Sequence, residues 1–460
     1  MQNAKENKMG VMPVGKLLFS MATPMMASML ILALYNVVDS IFVSRLGEDA
    51  LSAVSLAYPV HMLMIAVAVG TAVGVNSFLA RSLGERDFDR VNRIAMNGLF
   101  LALCSSLVFM GFGLLFSKSY MTGQTDNELI VRYGSQYVFV LCLCSFGNFF
   151  QVMLERILQS TGRTFYTMIT QGVGAIINII LDPIMIFGLF GFPRLEVMGA
   201  AIATVIGQIA AAILALIFNQ KFNPEVRLTL RGFRIEPRII GGIYKVGAPS
   251  VVMQSIGSVM NYAMNAILLQ FTSTATAVFG VYFKLQSVAF MPVFGLNSAL
   301  VPIAAYNYGA KRKSRIMKAL KIGVVSAVAI MLVCLAIFQF FPDPLLMIFD
   351  ASETMLAIGR IALRIISLSF LFAGYCIVAG SLFQALGHGM MSMYVSIGRQ
   401  LIILLPVAYL LSLSGNLDMV WWAFPVAESA SVILSTIFLI YVYRRTLKNL
   451  PDDVPSAIPA

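Results

Sequence analysis

The chain has 460 residues, 59% of them hydrophobic and 12% charged, with a net charge of +11 and a mean hydropathy of +0.85. Soluble domains carry roughly 25% charged residues, so this composition excludes one. Apolar runs continuous over about 20 residues also exclude a β-barrel, whose strands alternate over about ten. The chain reads as an all-α polytopic membrane protein.

Taken in order, the sequence opens on a polar, basic stretch, 1–16, expected to be cytoplasmic. The apolar run that follows is too long for the core of a cleaved signal peptide, so it is the first span. About twelve spans are expected, at 17–44, 52–80, 93–117, 131–157, 165–190, 197–218, 240–270, 276–307, 317–341, 356–384, 391–413 and 419–443. The loop after the second holds Arg81, Arg86, Arg90 and Arg93. The loop after the sixth holds Lys221, Arg227, Arg231, Arg234, Arg238 and Lys245. The loop after the eighth holds Lys311, Arg312, Lys313, Arg315, Lys318 and Lys321, and the tail opens with Arg444, Arg445 and Lys448. The odd-numbered loops hold acids such as Glu48, Asp49, Asp343 and Asp350. Basic loops stay in the cytoplasm, so both termini are expected there and the span count is even. The positive charge is thus a matter of topology, and no nucleic-acid partner is expected.

An internal repeat runs at an offset of 225 residues. It joins Pro24 to Pro249, Asn36 to Asn261, Gly84 to Gly309, Gly134 to Gly359, Gln159 to Gln384 and Gly162 to Gly387. Six spans per copy give both copies one orientation. The expected architecture is two pseudo-symmetric six-helix bundles around a central cavity, at 17–218 and 240–443, with a cytoplasmic linker at 219–239 and a cytoplasmic tail at 444–460.

The chemistry lies in a few polar residues inside apolar runs. Asp39 and Asp182 are carboxylates deep in spans 1 and 5. An ionised carboxylate there is expensive unless it faces a protein interior and holds a proton, a cation or a substrate. Asn178 and Asp182 are four apart and share a helix face, as do Asn36 and Asp39, three apart. Pro183 removes a backbone donor beside Asp182. Thr204 adds a hydroxyl from span 6 and Tyr137 a phenol from span 4. Hard oxygen ligands of this kind suit a monovalent cation or a shared proton. The other reading is that the two acids hydrogen-bond a helix kink. The repeat speaks for the first: the counterparts of Asp39 and Asp182 are Met264 and Val407, whereas a structural need would recur in both halves.

Asn36, Lys284 in span 8 and Glu428 in span 12 are candidates for substrate or coupling contact. For Lys284 the alternative is a lysine snorkelling to the interface. For Glu428 it is a carboxylate satisfied locally, and Arg399 and Gln400 in span 11 are expected to tie helices together. The five cysteines (Cys104, Cys142, Cys144, Cys334, Cys376) lie in apolar runs without CxxC spacing, so neither disulfides nor zinc are expected. Two histidines are too few for a metal centre, and the only metal expected is a coupling Na⁺ at Asp39, Asn178, Asp182 and Thr204. The 28 methionines fit a surface adaptable to varied apolar ligands, or plain core and lipid-facing positions. Neither a Walker A motif, a nucleophile elbow nor HExxH occurs, so no enzyme activity and no organic cofactor are expected.

The segments VVDSIFVSRLGEDALSAVSLAYP (37–59), QSTGRT (159–164), NIILDPIMIFG (178–188), GAAIATVIGQ (199–208) and FMPVFGLNSALVPIAAYNYGAKR (290–312) together resemble the MATE family, multidrug and toxic-compound extrusion transporters of the MOP flippase superfamily. The resemblance covers about residues 12–445. It is nearest to the branch with its cation site in the N-terminal bundle. It implies that Asp39, Asn178, Asp182 and Thr204 carry the cation or proton, with Tyr137 nearby. Another branch uses a glutamate in span 7, and span 7 here has no acid. The resemblance further implies a monomeric antiporter in a prokaryotic inner (plasma) membrane, exporting small organic compounds, often cationic, against H⁺ or Na⁺. A flippase of lipid-linked saccharides, from the same superfamily, is the alternative.

Overall fold

Twelve long helices follow one another in the computed structural model, which describes residues 7–229, 233–349 and 351–451. Arg231, Asp350 and the two ends of the chain lie outside the described residues. We number the helices α1 (Val14–Ser44), α2 (Glu48–Gly84), α3 (Phe88–Thr122), α4 (Glu128–Leu143 with Phe146–Ser160), α5 (Thr164–Phe187) and α6 (Glu196–Phe222). The second half supplies α7 (Pro237–Leu268), α8 (Ser273–Gly309), α9 (Lys313–Phe340), α10 (Glu353–Ser367 with Phe370–Ala385), α11 (Gly389–Ser412) and α12 (Leu417–Leu447). Among the described residues no strand forms. Nine helices pass alone as long, apolar spans, and the bent pairs α4 and α10 pass as two more. The twelfth, α7, is 32 residues long; Gln254, Ser255, Ser258, Asn261 and Asn265 dilute its apolar character. Large apolar side chains such as Val108, Leu115, Phe340, Ile402 and Leu413 are exposed along these helices, as a lipid-facing surface requires.

The repeat holds residue by residue. Helix α2 begins at Glu48 and ends at Gly84; α8 begins at Ser273 and ends at Gly309, both 225 later. Arg86 and Lys311, also 225 apart, both take positive φ in the turns that follow, as do Gly162 and Gly387. Spans 4 and 10, expected as continuous helices, are each broken and bent by 47°, at Cys144–Ser145 and at Leu368–Ser369. The two breaks lie 224 residues apart, one residue short of the repeat offset.

The helices gather into two compact units, one of Ala27–Val251 and one of Met1–Met26 with Val252–Ala460. The division falls inside α1 and α7, two residues beyond Pro24 and Pro249. Glycines explain which helix each short arm joins. Beside Gly295 of α8, a Cβ would stand 2.7 Å from the Met26 backbone; beside Gly70 of α2, it would stand 2.6 Å from Val251 N. Gly70 and Gly295 are again 225 apart, and only a residue without a Cβ allows backbones this near. In the Met1–Met26 and Val252–Ala460 unit, Asn307 and Arg315 donate to the Met9 carbonyl at 3.1 Å each, tying the N-terminal segment down. In the Ala27–Val251 unit, Asn97 donates to the Arg234 carbonyl and accepts from Glu236 N–H, and Arg93 meets Glu236 at 3.4 Å, fixing the segment before α7.

Candidate cation site

Close packing of α5 on α6 builds the site. A Cβ on Gly207 would stand 2.6 Å from the Gly174 carbonyl, and one on Gly199 would stand 2.6 Å from the Met185 carbonyl. These small residues bracket Thr204 on α6 and Asn178 and Asp182 on α5. With the two backbones that near, the side chains one turn on must meet. Asn178 Nδ2 lies 3.2 Å from Thr204 Oγ1 and 3.4 Å from Asp182 Oδ1. Turning the Asn178 amide satisfies the set better. Its NH₂ then donates to Asp182 Oδ2 at 3.2 Å, while its carbonyl accepts from Thr204 Oγ1 at 3.2 Å and Thr204 N–H at 3.1 Å. Asn178, Asp182 and Thr204 are all buried, Asp182 completely.

Asp39 approaches from α1, and its carboxyl group is a hydrogen-bonding neighbour of Asp182. Its Oδ1 is buried and receives no hydrogen bond. Two unit negative charges 4 Å apart repel by about 4 kcal/mol even at an effective dielectric constant of 20. Facing carboxyls with an open oxygen and, among the described residues, no basic partner are an arrangement that a proton or a cation between them would stabilise. Neutral groups lie near the pair: the Asn178 amide, bonded in turn to the Thr204 hydroxyl, and the phenols of Tyr35 and Tyr137. Tyr137 is buried on α4. Helix α5 runs on through Pro183 to Phe187, so Pro183 withdraws the helical donor of the Ile179 carbonyl within a turn of Asp182. The donor set fits a small monovalent cation: two carboxylates and neutral oxygens, without histidine or thiolate. Among the described residues no three His, Cys, Asp or Glu side chains gather to hold a metal.

The structure thus brings Asp39, Asn178, Asp182, Thr204 and Tyr137 together in the Ala27–Val251 unit. Asn36 is exposed on α1. Lys284 is exposed on α8, with Nζ 5.7 Å from the Phe349 ring centroid. Glu428 is buried on α12 and ion-paired with Arg399, which lies in a π-helical stretch of α11, Gly398–Leu404. Sequence reasoning passed over Tyr35 and Tyr58, because a tyrosine in an apolar run reads as core. It also passed over Glu155, a buried acid of α4. At the repeat positions of the two acids, Met264 is fully buried and Val407 half-buried.

Comparison with known proteins decides the family. The MatE family model matches twice, at residues 24–184 and 249–410, well over half of the chain and once per repeat. The chain belongs to the MatE family. It is similar to the multidrug export protein MepA of Staphylococcus haemolyticus, 25% identical over 433 residues and 94% of each chain. It is also similar to a FAD transporter of Shewanella oneidensis, 27% identical over 443 residues, 94% of this chain and 95% of that one. Among solved structures, an outward-facing multidrug-resistance MATE transporter of the MOP superfamily matches with a TM-score of 0.90 at 25% identity, covering 97% of this chain and all of that one. This MatE protein is therefore a multi-pass membrane transporter and not an enzyme.

Proposed function

We propose that this MatE protein is a secondary active multidrug efflux antiporter. It exports small, often cationic organic compounds in exchange for H⁺ or Na⁺, and the ion binds at Asp39, Asp182, Asn178 and Thr204 with Tyr137 beside them. The observation that carries the reading is the uncompensated pair of carboxyls, Asp39 with an open buried oxygen against fully buried Asp182. The basic ends of the helices, at Arg81–Arg93 and Lys311–Lys321, support a cytoplasmic side for both termini by the positive-inside rule. Coupling follows from linkage. Ion binding neutralises the pair and changes how α1 packs on α5, so ion and substrate favour different conformations and each lowers the other's affinity.

The test is efflux of a fluorescent organic cation from proteoliposomes, with a pH gradient and a Na⁺ gradient imposed separately. The reading predicts efflux driven by one gradient and lost in Asp39→Asn. Efflux that ignores both gradients in folded protein would overturn it. The FAD transporter among the relatives makes FAD the natural second cargo in the same assay.

A further inference from the structure

Glu155 lies on the second segment of α4, 3% exposed. Its Oε1 accepts from Thr170 Oγ1 at 2.9 Å and from Gln151 Nε2 at 3.1 Å, and its Oε2 accepts from Gln171 Nε2 at 2.8 Å. Thr167 Oγ1 reaches the Glu155 carbonyl at 3.4 Å. Among the described residues no salt bridge holds the carboxylate. The charged side chain that acts on it is Arg156, next in sequence, whose guanidinium donates to Gln159 Oε1 at 3.0 Å. Helices α2, α3 and α6 pack on the same segment, and no acidic or basic side chain of theirs stands among the principal electrostatic neighbours of Glu155.

The partners have a property in common: each can exchange giving a hydrogen for taking one. The Thr170 hydroxyl has one hydrogen and two acceptors in reach, Glu155 Oε1 at 2.9 Å and the Thr167 carbonyl at 2.9 Å. Turned to Thr167, its oxygen accepts from Glu155. The Gln171 amide gives its NH₂ to Glu155 while its Oε1 is buried without a partner. Turned over, it offers that oxygen instead. A carboxylate and a carboxylic acid can therefore both be bonded here, with one side-chain rotation, of Gln171 or of Thr170, between them. An acid meant only to pin α4 to α5 would gain nothing from a buried, unpaired amide oxygen.

We propose that Glu155 is a second proton-binding group of the Ala27–Val251 unit, separate from the Asp39–Asp182 pair. A proton from water forms an O–H bond on one carboxylate oxygen, and the partner at that oxygen, Gln171 at Oε2 or Thr170 at Oε1, turns from donor to acceptor while the other still donates to the remaining oxygen; release reverses each step. Gln171 precedes Asp182 by eleven residues on α5, roughly 17 Å at 1.5 Å per residue. Glu155 thus stands toward the end of the bundle that carries the Gly162 turn. That this end faces the cytoplasm rests on the orientation proposed above; that Glu155 titrates does not.

Infrared difference spectra between alkaline and acid pH, recorded on the full chain in lipid nanodiscs with ¹³C-labelled glutamate, test this. A glutamic-acid C=O band should appear on acidification, be lost in Glu155→Gln, and persist in Asp39→Asn. Glu155→Asp should move the band from the labelled glutamate set to the unlabelled aspartate set, so the test survives if Glu155→Gln does not fold. In the efflux assay, Glu155→Gln should flatten the pH profile while leaving substrate affinity unchanged. An unlabelled band only, or a glutamate band of equal size in Glu155→Gln, overturns the proposal. Failure of the antiporter reading shows separately, as gradient-driven efflux retained in Asp39→Asn.

Discussion

Two of the buried acidic centres, one taken from each compact unit, have opposite surroundings. In the Ala27–Val251 unit, Asp39 and Asp182 face each other with amide, hydroxyl and phenol neighbours and, among the described residues, no basic partner. In the other unit, Glu428 is ion-paired with Arg399. The difference assigns their work. On the proposed function, an acid pair without a countercharge is brought together by an ion, so its conformation would follow whether that ion is present. An acid whose countercharge is covalently part of the chain has no such dependence, and its pairing joins α11 to α12. Removing one member of such a pair strands a charge, which is why the pair is strongly coupled even though it adds little net stability over an apolar core.

Substitutions at these centres break the comparison in different ways. The largest effect belongs to Asp39→Asn and Asp182→Asn, which keep shape but not charge. Gradient-driven efflux should fall to background in each, with unchanged expression and melting by size-exclusion fluorescence. In contrast, Glu428→Gln should leave coupling intact but destabilise the protein by about 3 kcal/mol through the stranded Arg399. Combining it with Arg399→Met should restore much of that loss, and a double variant as unstable as the single would show that Arg399 has other essential partners.

Gly207→Ala should have a smaller, mixed effect. Its Cβ would meet the Gly174 carbonyl at 2.6 Å and force α6 away from α5. A stability loss of about 1–3 kcal/mol is expected, together with weaker ion dependence as Thr204 leaves Asn178. Met264→Asp probes the missing site in the other unit. It should not raise ion stoichiometry, since Met264 is buried and its partner position holds Val407.

The smallest effect is expected outside the membrane. Asp343 takes two hydrogen bonds from Arg360, at 2.8 and 2.9 Å, which hold its carboxyl below the usual carboxylate range. A lowered folded-state value adds stability above the unfolded pKa of about 3.9 and loses it as pH falls through the folded value. Both groups are exposed, so Asp343→Asn should barely move the melting temperature at neutral pH. The difference from the parent should vanish in strong acid.

Much of this was legible beforehand. The repeat survives in the sequence partly because glycines at turns and tight contacts resist substitution, as at Gly162 with Gly387, both at positive φ, and at Gly134 with Gly359, packed on Met121 and Leu346. Asp39, Asn178, Asp182 and Thr204 stood out because polar groups in apolar runs are expensive. The bends at Cys144–Ser145 and Leu368–Ser369 were not legible, since neither carries a proline or glycine and tertiary packing sets the angle. The partner of Glu428 was hidden for a similar reason. Periodicity shows which residues share a face of α12, not which face of α11 lies opposite, and the π-helical turn at Arg399 shifts that face again. Glu155 was overlooked because it lies near the end of span 4, in LERILQS, where an acid beside an arginine reads as a solvated helix end.

The most direct measurement is ion uptake into proteoliposomes driven by an outward gradient of an organic cation. Proton and ²²Na⁺ entry would be recorded for the parent, Asp39→Asn and Glu428→Gln. If the uncompensated pair carries coupling, one ion enters with the parent and with Glu428→Gln, and neither ion enters with Asp39→Asn. Cargo-driven ion entry that persists in Asp39→Asn and disappears in Glu428→Gln would contradict the assignment and move coupling to the paired acid.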